Sequence, residues 1–224
     1  FRGKAVFFDT ANALKKISRF RCKSFDLELT PSCIMFPDKG GISMKKIVVI
    51  SSSPRKNGNS ETLALELARG AEEAGGEVTF LRVADLKLNF CTGCMACQKL
   101  KRCVLKDGAT DVMETVRAAD TVVFASPVYY YAVSGQLKTF LDRMNPIYTA
   151  GHHFTEVALI STAAEDDRAA MEGSIKDIQG WVDCFDGVSF EKVLCGTGLE
   201  GAGDVRNRPA LLQEAYEMGK SLGA

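Results

Sequence analysis

The 224-residue chain is 46% hydrophobic and 25% charged, and its 28 basic and 28 acidic side chains leave a formal net charge of zero. This is the composition of a globular protein long enough for one sizeable core, and one domain is the default. With no Lys/Arg-rich face and no apolar run of membrane-spanning length, neither nucleic acid nor a membrane is an expected partner.

Residues 1–43 begin with Phe1, carry eight basic against four acidic side chains and show no clear period through Phe36 to Ser43. They read as an extension, or as sequence upstream of a start at Met44, and residues 44–224 as the folded domain. Ile47, Val48, Val49 and Ile50 form an unbroken β-branched run, the pattern of a strand buried on both faces of a parallel sheet. A polar loop, Ser51 to Ser60, leads into a helix at about 60–74. Ser60 is its expected cap, and Leu63, Ala64, Leu67, Ala68 and Ala71 form one apolar face. Gly75-Gly76 stops this helix, and Glu77 to Val83 reads as a second strand.

Farther on, Val112, Met113, Val116 and Ala119 mark a helix, Thr121 to Ser126 a third buried strand ended by Pro127, and Ser134 the cap of another helix. Glu156 to Ser161 is a fourth strand, Asp166 to Phe185 a helix with Trp181 beside its core face, Val188 to Cys195 a fifth strand and Pro209 to Leu222 a closing helix. Five β-α units predict a three-layer α/β sandwich with a five-stranded parallel sheet, for which the commonest order is 2-1-3-4-5. In that order, ligands bind outside the carboxyl ends of strands one and three.

Two loops meet at that crevice. The Ser51–Ser60 loop places hydroxyls and one arginine before a helix N-terminus, where unpaired N–H groups favour a phosphate. It lacks the closing Gly-Lys-Ser/Thr of a Walker loop, so a monophosphate suits it better than a triphosphate. The second loop carries Tyr129, Tyr130 and Tyr131, which could wall a planar ring. Together the two describe a flavin mononucleotide, FMN. Gly196-Thr-Gly198-Leu-Glu-Gly201 has the spacing of a dinucleotide fingerprint but opens no βαβ unit, and His152 and His153 read as a solvent loop.

Four of the eight cysteines fall within thirteen residues, as Cys91, Cys94, Cys97 and Cys103. Such crowding points to a metal site more than to a disulfide framework, and so to a reducing, cytoplasmic compartment. Cys22, Cys33, Cys184 and Cys195 read as unpaired.

The chain resembles the flavodoxin-like NAD(P)H-dependent FMN reductase family and, within it, the iron-sulfur flavoproteins. The resemblance runs from Met44 to the C-terminus and rests on four motifs: Ser-Pro-Arg-Lys-Asn-Gly-Asn-Ser (53–60), the four-cysteine run, Ser-Pro-Val-Tyr-Tyr-Tyr (126–131) and Ser-Gly-Gln-Leu-Lys-Thr-Phe-Leu-Asp-Arg (134–143). It implies that Ser53, Arg55, Asn59 and Ser60 hold the FMN phosphate. Pro127, Val128, Tyr129, Tyr130 and Tyr131 would flank the isoalloxazine, with Ser161 and Thr162 on its far side. The sequence departs from the family at Ser52, where a glycine is usual, and at Ala163-Ala164, where the family tends to glycines.

The cysteine run resembles the compact motif that holds a 4Fe-4S cluster in iron-sulfur flavoproteins. A single zinc ion is the alternative, although structural zinc sites usually split into two separated pairs. The leading expectation is therefore an FMN-dependent oxidoreductase passing electrons from NAD(P)H or a redox protein to a small acceptor such as a quinone or flavin. An iron-sulfur electron carrier linked to ferredoxin is the second, and a zinc-stapled binding module without enzymatic activity the third. The flavin carries the chemistry, so no catalytic side chain is expected. The family resemblance implies a homodimer or homotetramer.

Overall fold

The structure, a computed structural model, describes residues 44–224; the expected extension over residues 1–43 lies outside them. Alternation along the strands decides how the layers pack. In β1 (Lys46–Ser51) Ile47 and Val49 point to one face of the sheet, while Val48 and Ile50 point to the other. The same alternation holds in β3 (Thr121–Tyr129) and β5 (Glu156–Thr162), so each central strand is buried twice.

One face is covered by α1 (Asn59–Glu73) and α7 (Pro209–Gly223), whose backbones approach so closely that a Cβ added at Gly219 would lie 1.9 Å from the Leu67 carbonyl oxygen. The other face is covered by α3 (Gly108–Arg117), α4 (Gly135–Arg143) and α6 (Glu172–Val182), which close over Phe124, Phe140 and Phe154. Trp181 belongs to this core, edge-on to Phe124 at 5.4 Å and stacked on Phe154 at 5.7 Å between ring centroids. The remaining short helices are α2 (Ala96–Leu100) and α5 (Asn145–Ala150).

The parallel strands run β2-β1-β3-β5-β6, with β2 at Glu77–Arg82 and β6 at Ser189–Gly196. Counting parallel strands only, this is the expected order 2-1-3-4-5. A sixth strand, β4 (Ala132–Val133), folds back antiparallel on the end of β3.

Here the structure corrects the sequence reading: β3 does not end at Pro127 but continues to Tyr129. Its pairing with β1 stops at Ala125, while pairing with β5 continues through Pro127↔Thr162. With a partner on one side only, the rim tolerates a residue without an N–H donor. The helix expected over Asp166 to Phe185 is also shorter, beginning as a 3-10 turn at Arg168–Met171 before α6.

Candidate functional site

β1 and β3 are neighbours whose following chains diverge, and a crevice opens between their carboxyl ends. Ser53, Arg55, Gly58, Asn59 and Ser60 line it from the β1 side, Pro127, Val128 and Tyr129 from β3, and Thr162 and Ala164 from β5. The loop after β6 closes it with Leu199, Glu200 and Ala202. Of the eleven residues expected at a flavin, the crevice gathers Ser53, Arg55, Asn59, Ser60, Pro127, Val128, Tyr129 and Thr162.

The phosphate-type loop is held in shape from within. Ser53 Oγ accepts from the Arg55 N–H at 3.3 Å and donates to the Arg55 carbonyl at 3.0 Å. A Cβ at Gly58 would lie 2.9 Å from Ser53 Oγ, so this tight return needs a glycine. Gly58 is consequently the N-cap of α1, and Ser60 sits inside the first turn and is not the cap. Ser60 Oγ is buried without a hydrogen-bond partner, beside the free N–H groups of the helix start. An orphaned buried hydroxyl facing an anion-binding terminus is the arrangement that a phosphate group would complete. Ser52, standing where a glycine is usual, turns its hydroxyl into the sheet, donating to the Ala125 carbonyl at 3.1 Å and accepting from Ser134 Oγ at 2.9 Å.

Asn59 has a different task from the expected one. Its Nδ2 donates to the Leu199 and Gly201 carbonyls at 3.2 and 2.9 Å, and its Oδ1 accepts from the Gly203 and Val205 N–H groups at 3.0 and 3.2 Å. The amide is saturated, so the side chain organises the 199–205 loop and has nothing left for a phosphate. That loop takes up the last three residues of the discounted fingerprint, Leu199 to Gly201, and sequence reasoning missed it as a wall of the site.

The aromatic wall is also narrower than expected. Tyr130 and Tyr131 form the two-residue tip of the β3–β4 hairpin, with φ of 51° and 61°, and are 100% and 62% exposed. Only Tyr129 of the three lines the crevice. Ser161 is fully buried below the rim, and its hydroxyl has no partner.

The four cysteines surround a second cavity, lined also by Thr92, Met95, Arg143, Asn145 and Pro146. Among the described residues no three His, Cys, Asp or Glu side chains converge on a point suited to one metal ion, although all four cysteines line this one cavity. Hydrogen bonds from the Ala96 N–H, then from the Thr92 hydroxyl, lower the Cys94 thiol from its ordinary value. Asn145 Nδ2 donates to Cys97 Sγ at 3.1 Å, and Arg143 Nη2 to Cys103 Sγ at 3.4 Å. A set of four thiol ligands, three of them already receiving donors, fits a sulfur-bound iron centre.

The base of this loop is tied by a group that the sequence did not reveal. Arg143, fully buried, reaches both carboxylate oxygens of Asp107 and the Asn89 carbonyl, while Asp107 accepts from the Asn89 N–H at 2.8 Å and from the Ala109 N–H at 3.2 Å. Both ends of the cysteine segment are thereby joined to α3 and α4. Cys184 and Cys195 are unpaired. His153 lies at the opposite end of the sheet, 3.1 Å from Asp120, with its side chain 70% exposed.

Fold and crevice define a flavodoxin-like α/β protein, and the comparisons narrow this. Residues 45–184 match the NADPH-dependent FMN reductase family. An iron-sulfur flavoprotein of Archaeoglobus fulgidus is 41% identical over 101 residues, covering 45% of this chain and 46% of that protein. An iron-sulfur flavoprotein of Methanocaldococcus jannaschii is 37% identical over 183 residues, 79% of this chain and 95% of that protein. The match thus spans under half of the first relative and nearly all of the second. Among solved structures, an NAD(P)H:quinone oxidoreductase from Methanothermobacter marburgensis superposes with a TM-score of 0.63 at 15% identity, over 81% of this chain and 98% of that one. The chain belongs to the NADPH-dependent FMN reductase family and is a flavin-dependent oxidoreductase. No helix of the described residues is long and apolar enough to cross a membrane.

Proposed function

We propose that this protein passes electrons between NAD(P)H or a redox protein and a small acceptor, with FMN in the β1/β3 crevice and a 4Fe-4S cluster held by Cys91, Cys94, Cys97 and Cys103. The observation that carries this reading is the presence in one domain of two cavities: an anion-binding crevice with an orphaned hydroxyl, and a cavity lined by four cysteines. Relatives named iron-sulfur flavoproteins support the cluster over a single ion.

When bound, FMN supplies two-electron and one-electron chemistry and a cluster supplies one-electron transfer. The residues do the rest. Ser60 Oγ, Arg55 and the first N–H groups of α1 bind the phosphate, and Ser53 keeps their loop in register. Pro127, Val128 and Tyr129 present a flat apolar wall to a ring, while Leu199 and Glu200, braced by Asn59, cover the crevice from the far side and limit water. Cys91, Cys94, Cys97 and Cys103 are the ligands, and the Arg143–Asp107 pair fixes the segment that carries them.

The test is protein made and purified without oxygen, assayed for flavin, iron and acid-labile sulfide, then for NADPH oxidation. Bound FMN with about four irons and four sulfides per chain is the expected result. Flavin alone after anaerobic reconstitution leaves an FMN reductase without a cluster, and a colourless protein carrying stoichiometric zinc overturns the proposal. Oxidation of NADPH under steady turnover separates an enzyme from a carrier loaded by ferredoxin.

A further inference from the structure

The family's cysteine motif ends at Cys103, yet the wall of the cysteine cavity facing Cys97 and Cys103 is built by residues some forty positions later. They lie at the junction of α4 and α5, where Arg143 is the last residue of one helix and Asn145 the first of the next. Each aims one N–H donor at a different sulfur, Nδ2 of Asn145 at Cys97 and Nη2 of Arg143 at Cys103. The junction is anchored to the loop by more than these two bonds. Thr149 Oγ1, one turn beyond Asn145 on α5, donates to the Cys97 carbonyl at 3.1 Å and fixes that residue's backbone. Arg143 in turn cannot swing, because Asp107 and the Asn89 carbonyl hold Nη1, and Asp107 also holds Nη2.

A donor pointed at a cysteine sulfur withdraws electron density from it and favours whichever state of a bound centre carries more negative charge. For an iron-sulfur centre that is the reduced state, so such donors raise the reduction potential. The two donors differ in what else they do. Arg143 is buried and holds the fold of the loop, whereas Asn145 is exposed, and its Nδ2 has no other bond.

We propose that Asn145 is a positioning residue that sets the reduction potential of the centre on the four cysteines, through the Nδ2 donor it aims at Cys97 Sγ. The inference rests on the reading that these cysteines hold an iron-sulfur cluster, and it goes beyond that reading by naming a residue outside the ligand set. Reduction here is the addition of one electron per cluster, with no bond to cysteine made or broken.

The test is an anaerobic titration of the FMN- and cluster-loaded protein with dithionite as reductant, following the cluster's visible absorbance and its paramagnetic signal. It compares wild type, Asn145→Ala and Asn145→Asp. The alanine removes the donor, and the aspartate keeps the shape but replaces the donor with a negative charge. Because the position is exposed, both variants should fold and retain iron, sulfide and FMN in wild-type amounts.

The expected result is a cluster harder to reduce in the order wild type, alanine, aspartate. At a poise where the wild-type cluster is half reduced, the reduced-to-oxidised ratio should fall several-fold in the alanine variant and further in the aspartate one, with the flavin potential unmoved. Wild-type potentials in two fully loaded variants overturn the proposal, as does loss of the cluster from both, which would make Asn145 an assembly residue. A wild-type protein that binds no iron overturns this inference and the cluster reading together, so the two failures are distinguishable.

Discussion

The guanidinium of Arg143 meets both carboxylate oxygens of Asp107, at 2.5 and 2.9 Å, with the two side chains 0% and 5% exposed. Neither charge has water to fall back on. Removing one partner of such a pair leaves an uncompensated buried charge, at a cost of about 3 to 5 kcal/mol. Asp107→Asn should therefore destabilise the fold by that order in urea denaturation. Limited proteolysis should cut first between residues 89 and 107, because Asp107 ties both ends of that segment. Uniform loss of stability without early cleavage there would show that the pair supports the core and not the loop.

The same carboxylate makes a prediction about pH. Burial acts to raise its pKa, but the Arg143 hydrogen bonds and then the Asn89 N–H outweigh it and hold the carboxyl well below its ordinary value. With the folded-state pKa depressed, the contribution is fully present above the ordinary carboxylate value of about 4 and is lost as pH falls through the folded value. The stability difference between wild type and Asp107→Asn should be flat from neutral pH down to about 5 and narrow progressively below about 4. A gap that instead changes between pH 6 and 8 would assign the dependence to another group.

Ser60→Ala separates binding from folding. The hydroxyl is buried and unpartnered, so its removal should leave the melting temperature of the flavin-free protein unchanged or slightly higher. Losing one hydrogen bond to a charged phosphate costs roughly 1.5 to 3 kcal/mol, about ten- to a hundredfold in the FMN dissociation constant. Riboflavin, which lacks the phosphate, should bind the variant as it binds the parent. Fluorescence titration reads both ligands, and an equal loss for the two would place the phosphate elsewhere.

The parts of the structure that were legible in the sequence were those set by local period. The run Ile47 to Ile50 declared a doubly buried strand, and the helical spacing of Leu63 and Leu67 declared α1. The misses share one cause: contacts between residues far apart in the chain. Asn59 reads as a loop amide suited to a phosphate, and nothing near it announces four bonds to residues about 140 positions away. Arg143 reads as the charged end of an amphipathic helix, because its partner Asp107 lies 36 positions upstream. Pro127 reads as a strand stop, and only the register shows that β1 has already ended beside it.

Asn59→Asp tests the brace on the 199–205 loop. The variant keeps the shape and the acceptor but loses both donors, leaving the Leu199 carbonyl unpaired and the Gly201 carbonyl with only the Asp204 N–H, and it sets a negative charge beside the phosphate crevice. Each unpaired group costs about 1 to 3 kcal/mol where it is buried. FMN affinity should fall more than for Ser60→Ala, and proteolytic cutting within 199–205 should rise in the absence of flavin. Weakened FMN binding with an unchanged cleavage pattern would return Asn59 to the role of direct ligand.

The last prediction concerns the strained tip of the β3–β4 hairpin. A two-residue turn with positive φ at both positions suits Asn-Gly, yet here it holds Tyr130 and Tyr131, at φ of 51° and 61°. A non-glycine residue held in that region costs about 1 to 2 kcal/mol. The turn has no room to relax: a Cβ on Gly173 of α6 would come within 1.8 Å of the Tyr131 carbonyl oxygen, and Asp177 of the same helix accepts the Val133 N–H at 3.1 Å. Strain maintained by its surroundings, beside a cofactor crevice, is characteristic of a functional position. Tyr130→Asn with Tyr131→Gly should therefore raise the melting temperature by a few degrees, on the scale of about 2 to 4 °C per kcal/mol for a domain of this size. FMN affinity should stay unchanged, because Tyr129 is the tyrosine that lines the crevice. The rate of NADPH oxidation with an external acceptor should fall, since the two exposed rings are lost from the rim. A double variant that is more stable and fully active would mean that the strained tyrosines serve no step of turnover, and one that is less stable would show that their rings support the fold.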